Sequence, residues 1–411
     1  MTRQVVPQGS ARDIVLGLGG TVDYEIVWDA EVLSRLTTAY RIRPEELDPT
    51  AQVLDERDLV RSVLGYLRDG NGGERYVASS SIIKIFAQRF TTRITVGGTC
   101  VRAALAMSRI GTASTVHLVS IDDNVRTRLP PGVGYLCSAT EDSTDPHLIV
   151  QFPAGARIQL DGVEVVAPRP NRLIYVNDPP NRELRLSPDL GAALSEATVF
   201  LVSGFNSMTD ASELDKRVGE LLDHMKRLPS DALTIYEEAG FHAPELSRRV
   251  RERLCGHVDV LSMNEDEMQA ILGRPLDLLD ADEMAGALSD LTGLVPALTL
   301  VVHSGAWCLA VGSHAAAYRK ALTAAAALAG TRYLLGDEYT GDDVNRIRSL
   351  PIRPAGRAFA DELEALLPGE VVCVPVPVLD TATPTTIGLG DTFIGGLVAA
   401  LAGQHPRRSR Q

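Results

Sequence analysis

Lysine is almost missing from this chain: of 40 basic residues among 411, only Lys84, Lys216, Lys226 and Lys320 are lysines, and none follows a glycine. A phosphate loop of the G-x-x-x-x-G-K-[ST] type is thereby excluded, so any nucleotide phosphate must be held another way. Cysteine is scarce as well. Cys100, Cys137, Cys255, Cys308 and Cys373 form no C-x-x-C pair, which excludes a zinc cage or a disulfide frame and leaves reduced core thiols. No apolar run approaches the roughly 18 residues of a membrane span. Residues 14–18 are too short for a signal-peptide core, so a soluble, cytoplasmic protein with no membrane partner is expected. Positive charge is in deficit, 40 Lys+Arg against 53 Asp+Glu for a net −13, which argues against nucleic acid as a partner. A small phosphorylated ligand needs only a local pocket and stays open.

What is present suits a globular chain. A hydrophobic fraction of 45% can build a core, and the length allows one large domain with an insertion or two to three smaller ones. Short Val/Ile/Leu-rich runs at 14–18, 114–120, 199–203, 233–237, 258–262 and 298–303 predict strands buried on both faces. Helical periodicity at 99–109, 211–228, 243–254 and 281–291 alternates with them, which implies an open, doubly wound α/β sheet. Two regions alternate apolar and polar residues instead, 23–29 and 147–166, and predict a small sheet exposed on one face. The expected division is a large α/β domain at 1–22, 97–145 and 187–411, with a small lid at 23–96 and 146–186. Residues 45–68 read as helix leading into the lid, and 330–345 as an acidic surface loop.

Gly17-Leu-Gly-Gly20 opens like a dinucleotide fingerprint, but the third glycine would fall on Val22, so close packing at a strand end is the better reading. The stronger signal is Thr385-Thr-Ile-Gly-Leu-Gly-Asp-Thr392 ahead of an apolar helix. The amides of Gly388, Leu389 and Gly390 would lie at a helix start, where unpaired donors and the macrodipole collect anions. Asp391 beside a phosphate repels it, yet suits a general base for an attacking hydroxyl; an ordinary first-turn aspartate is the plainer alternative. Asn264 and Glu267, three apart at the start of another helix, could serve magnesium against a di- or triphosphate. They also spell a capping box, and the two roles can coexist.

Taken in order, these motifs resemble the ADP-dependent sugar kinases, glucokinase and phosphofructokinase, of the ribokinase-like superfamily. Glu74-Arg75 after Asn71-Gly-Gly, the pair Gly97-Gly98, His147-Leu-Ile-Val-Gln, Asn171-Arg172-Leu-Ile…Asp178, Ser203-Gly204-Phe-Asn-Ser-Met208, Asn264…Glu267, Val302-His303-Ser304 and Gly388…Asp391 carry the likeness. It implies a three-layer α/β/α domain with a mostly parallel central sheet and a smaller β-rich lid. It implies transfer of a phosphoryl group from ADP, releasing AMP, to a sugar hydroxyl, with Mg2+. Asp391 would be the base and the Gly388–Gly390 amides the anion hole. Asn264, His303 and Ser304 would lie at the nucleotide, and Glu238 and Glu267 at the metal. Asp23, Glu74, Gly97, Gly98, Thr99, Asn177 and Asp178 would line the acceptor side.

The chain departs from the hexokinase-type pattern at Thr21, Thr99 and Asn177, and Tyr236 stands where the family's His-x-Glu motif has histidine. Changed hydrogen-bond partners alter sugar choice steeply, so an altered sugar, sugar phosphate or sugar-bearing acceptor is expected. Arg172, Arg182 and Arg185 could pair with a substrate phosphate; solvated surface is the simpler reading of the three. ATP as donor, in a ribokinase-type sugar or nucleoside kinase, and a non-catalytic binder of the same fold are the competing readings. No sequence feature addresses the oligomeric state.

Overall fold

The computed structural model describes residues 13–404 apart from 382, 383 and 386. Thr386 of the glycine motif and the expected domain ends at 1–12 and 405–411 therefore lie outside the described residues. Sixteen strands form: β1 Ile14–Leu16, β2 Thr21–Ile26, β3 Gly73–Tyr76, β4 Thr92–Gly97, β5 Ser114–Leu118, β6 Val133–Cys137, β7 His147–Phe152, β8 Arg157–Leu160, β9 Val163–Val166, β10 Asn171–Val176, β11 Val199–Val202, β12 Leu233–Glu237, β13 Val260–Asn264, β14 Thr299–His303, β15 Trp307–Val311 and β16 Val371–Pro375.

Nine of them make one sheet in the order β16-β15-β14-β13-β12-β11-β1-β5-β6. Pairing is parallel from β6 to β14 and antiparallel only at the β15 and β16 edge. Because side chains alternate across a strand, Val15, Phe200, Tyr236, Leu261 and Leu300 go into one core. Leu16, Leu201, Ile235, Val260 and Val301 go into the other. Helices cover both faces, which is why these strands read as continuous apolar runs. The helices Ala211–Met225, Pro244–Leu254 and Ala281–Leu294 lie on the first side. Thr99–Arg109, Arg319–Leu335 and Leu389–Gln404 lie on the second.

A second sheet, β3-β10-β7-β2-β4, is built from two excursions of the chain. One of its faces buries Ile26, Leu148, Val150, Phe152, Leu173 and Tyr175 against the helices Ala30–Ala39, Glu56–Asp69 and Ser80–Ala87. The registers line up Glu74, Ile174, Ile149, Glu25 and Arg93 in one row across all five strands of the other face. Asp23, His147 and Thr95 form the neighbouring row. This half-polar face is the source of the alternation at 23–29.

Two sequence readings are corrected. Residues 45–68 are not one helix: a short turn at Pro44–Glu46 precedes an irregular stretch, and the helix starts at Glu56, capped by Asp55. Pro49 disfavours helix in the residue before it. Residues 330–345 are not a surface loop. Gly330 lies inside the Arg319–Leu335 helix, and Gly341–Arg348 is helix behind a Thr340 cap. Among the described residues no helix is long and apolar enough to cross a membrane.

Candidate active site

The Leu389–Gln404 helix is apolar along most of its length and packs between the Thr99–Arg109 and Arg319–Leu335 helices, which fixes where its N-terminus points. Its first intrahelical bond runs from Thr392 N–H to the Gly388 carbonyl at 3.0 Å. The amides of Leu389, Gly390 and Asp391 precede it and have no partner inside the helix. Gly388 holds φ +68°, and a Cβ there would meet Arg102 Cδ at 2.9 Å, so both its conformation and its neighbour require glycine. The Ile387 carbonyl accepts from Arg332 Nη1, which steadies the segment ahead of the helix. Asp391 lies in the first turn with its side chain 24% exposed.

On one side of this helix start is a cavity of about 450 Å³ lined by Asn264, His303, Ser304, Leu389, Gly390 and Phe393 among others. The predicted nucleotide residues are thus brought together. Asn264 caps the Glu265–Leu272 helix in a full capping box: its Oδ1 accepts from Glu267 N–H and Glu267 Oε2 accepts from Asn264 N–H, both at 2.9 Å. His303 ends β14, its ring 4.5 Å from that of Phe393. Its Nε2 lies 3.2 Å from Glu237 Oε1. Ser304 Oγ accepts from the Ala306 and Trp307 amides and closes the following turn.

The carboxylates sort differently from expectation. Glu238, assigned from sequence to the metal, is saturated: Oε2 pairs with Arg251 Nη1 at 2.9 Å, and Oε1 accepts from Tyr236, Ala239 and Ser247. Successive strand residues face opposite ways, so Glu237 is the one turned towards His303 and Glu267. Glu237 Oε2 is buried and has no partner among the described residues. Burial, and then the charge of Glu237, push the Glu267 carboxyl up to about 7. Two crowded carboxyls with an orphaned oxygen fit a cation delivered with phosphates, since magnesium takes only one or two protein carboxylates in such sites. Among the described residues no group of three or more His, Cys, Asp or Glu forms a cage of its own.

On the other side of Asp391 lies the polar face of the second sheet. Gly97 ends β4 against Asp23: a Cβ there would fall 2.5 Å from Asp23 Oδ2. Asp23 is buried, with Oδ1 accepting from Thr21 at 2.7 Å and Oδ2 from Arg102 Nη2 at 2.9 Å. Gly98 caps the helix that Thr99 opens. Glu74 and Arg172 line a cavity of about 860 Å³ that Ile387 closes from the helix side. Arg172 is half-buried and has no ion pair among the described residues; burial and the nearby Arg102 charge lower its affinity for its proton. Arg182 and Arg185 are exposed, as solvated surface predicts.

Asn177 and Asp178 are spent on the scaffold. Asn177 donates to the Val77 carbonyl, while Asp178 caps the Pro179–Glu183 turn of helix and contacts His147 and Asn181. Sequence reasoning missed Arg102 and Glu237. Arg102 had a signal, being the one charged residue in the apolar run from Cys100 to Met107.

A doubly covered, mostly parallel sheet, a second sheet beside it and a glycine-opened helix start with an aspartate in its first turn make a frame and a site suited to a phosphotransferase. The conserved region of the ADP-specific phosphofructokinase/glucokinase family matches residues 12–397, and the chain belongs to that family. It is an ADP-dependent carbohydrate kinase. A Pyrococcus horikoshii phosphofructokinase solved with AMP is similar in structure, with TM-score 0.79 and 16% identity over 95% of this chain and 98% of that one. A reconstructed last common ancestor of the ADP-dependent phosphofructokinases from Methanosarcinales gives 0.79 at 16%, over 97% and 95%. An ADP-dependent kinase in complex with fructose-6-phosphate and ADPβS gives 0.70 at 15%, over 97% and 95%. At these identities the structural likeness bears on fold alone. No curated protein sequence matches the chain.

Proposed function

We propose that this kinase moves the β-phosphoryl group of ADP to a hydroxyl of a sugar or sugar phosphate, with Asp391 as general base and AMP as the leaving product. The observation that carries the reading is the position of Asp391, at a helix start whose first amides have no partner within the helix, between the nucleotide-sized cavity and the polar face of the second sheet. The acceptor O–H gives its proton to Asp391 as its oxygen attacks phosphorus; the O–P bond forms and the bond to AMP breaks. The amides of Leu389 and Gly390 donate to the transferring group's oxygens. Such preorganised donors act without reorganising in the transition state.

Asn264, His303, Ser304 and Phe393 hold the nucleotide end. Glu237 and Glu267 would hold magnesium, which supplies charge neutralisation of the phosphates when bound. The second sheet acts as the lid that excludes water from the donor. Arg172, half-buried in the cleft and without an ion pair among the described residues, is suited to an anionic group on acceptor or donor. Glu74 faces the acceptor hydroxyls.

A donor-by-acceptor screen tests this: ADP and ATP against hexoses, hexose phosphates and nucleosides, with magnesium. AMP release with a sugar-type acceptor is expected, and its absence under every pairing would sink the reading. Asp391→Asn should then lower turnover ~10²–10⁴-fold, the usual contribution of a general base, while ADP binding persists.

A further inference from the structure

Arg102 lies in the wall between the acceptor face and the transfer site. It projects from the Thr99–Arg109 helix, otherwise packed into the core through Cys100, Val101, Ala103, Ala104 and Met107. Its side chain is only 13% exposed. A guanidinium buried there needs compensating charge, and two carboxylates supply it. Asp23 Oδ2 accepts from Nη2 at 2.9 Å, and Asp391 Oδ2 is 3.9 Å from Nε. Asp23 is itself pinned by Thr21, so both of its oxygens are engaged inside the protein. A Cβ at Gly388 would stand 2.9 Å from Arg102 Cδ and 3.3 Å from Nη1, which places the stem and the remaining edge of the fork along the glycine turn.

We propose that Arg102 is a positioning residue of the transfer site: Asp23 anchors it, it holds the Asp391 carboxylate towards the attacking hydroxyl, and its Nη1 edge adds a cation beside the Gly388–Gly390 amides. Asp23 then acts through Arg102 and not as a ligand of sugar hydroxyls. The inference rests on Asp391 being the base. A planar fork with five fixed donors can bridge two carboxylates and still present an edge; an ammonium cannot reproduce that geometry.

The test measures AMP release from magnesium ADP with glucose or fructose 6-phosphate as acceptor. Arg102→Ala and Arg102→Met should lower kcat by ~10²–10³-fold, the cost of one oxyanion-site donor. KM for ADP should stay within about 3-fold, because the lost contact belongs to the transition state. Added guanidinium should restore part of the Arg102→Ala rate and none of the Arg102→Met rate, since only alanine leaves the space. Asp23→Asn should lower kcat, whereas a sugar ligand would show in the acceptor KM. Bound ADP serves as the check that each variant is folded, and Arg102→Lys should keep more activity than Arg102→Met. Absence of guanidinium rescue, or an Asp23→Asn effect confined to the acceptor KM, overturns the proposal. Asp391→Asn keeps the two readings apart. Turnover retained in Asp391→Asn removes the base and the Arg102 role together; an inactive Asp391→Asn beside a fully active Arg102→Ala removes Arg102 alone.

Discussion

His303 reaches past a neighbouring strand to Glu237: its Nε2 lies 3.2 Å from Glu237 Oε1 although β13 runs between β14 and β12. Burial opposes charge on the ring, but the hydrogen bond and charge of Glu237, together with the charges of Glu267 and Glu265, raise the His303 pKa. The histidine satisfies one carboxylate oxygen and leaves Oε2 buried and bare. Such an arrangement holds a carboxylate in a fixed orientation for a partner that arrives from outside.

Glu237→Gln should therefore weaken the magnesium dependence of ADP binding. Losses of ~10–100-fold in metal affinity are usual when a group of this kind is removed. Calorimetric titration of ADP at several magnesium concentrations checks it. ADP affinity without magnesium should be unchanged, and an unaltered magnesium dependence would remove Glu237 from the metal's neighbourhood.

Glu238, one residue on, should behave as scaffold. Its side chain is 1% exposed and pairs with Arg251. Arg251→Met leaves that carboxylate buried and unpaired, which costs ~3–5 kcal/mol in comparable cases. Urea unfolding measures the loss. Adding Glu238→Gln to Arg251→Met should recover much of the stability, and a pair of additive losses would contradict the account.

His117 makes the fold sensitive to acid. It is fully buried in β5, its Nε2 accepts from Ser187 N–H at 2.8 Å, and burial lowers its pKa to about 4. The folded pKa lies below the unfolded value of ~6.5, so the unfolded chain takes the proton first. The associated stability is full above pH ~6.5 and is lost as pH falls towards 4, on the order of 3 kcal/mol in all. Urea midpoints over that interval should flatten in His117→Gln, whose amide oxygen can still accept from Ser187. A slope identical to that of the parent protein would assign the acid sensitivity elsewhere.

Much of this was legible without coordinates, for reasons that differ from residue to residue. Strands buried on both faces announce themselves as Val/Ile/Leu runs, and the Thr99–Arg109 helix is bounded by Gly98 and the basic Arg109 at its end. The capping box at Asn264 and Glu267 is a local signal and formed as read. Which of Glu237 and Glu238 faces the His303 side could not be read, because the facing of adjacent strand residues depends on register, which lies in the neighbouring strands. Gly330 looked like punctuation because a helix-interior glycine is justified only by what packs on it. Arg102 becomes meaningful only when β2, from a remote segment, brings Asp23 beside it.

The interleaving of the second sheet has a consequence for how the protein is made. Its order, β3-β10-β7-β2-β4, sets the hairpin-like pair of the later excursion between strands of the earlier one. Strands β2 and β4 can pair as soon as they emerge from the ribosome, but β3 has no partner until β10 is synthesised about a hundred residues later. The second sheet thus cannot be finished by its first excursion alone. A chain stalled before Val176 carries β3 as an unpaired edge, the kind of surface that chaperones and aggregation compete for.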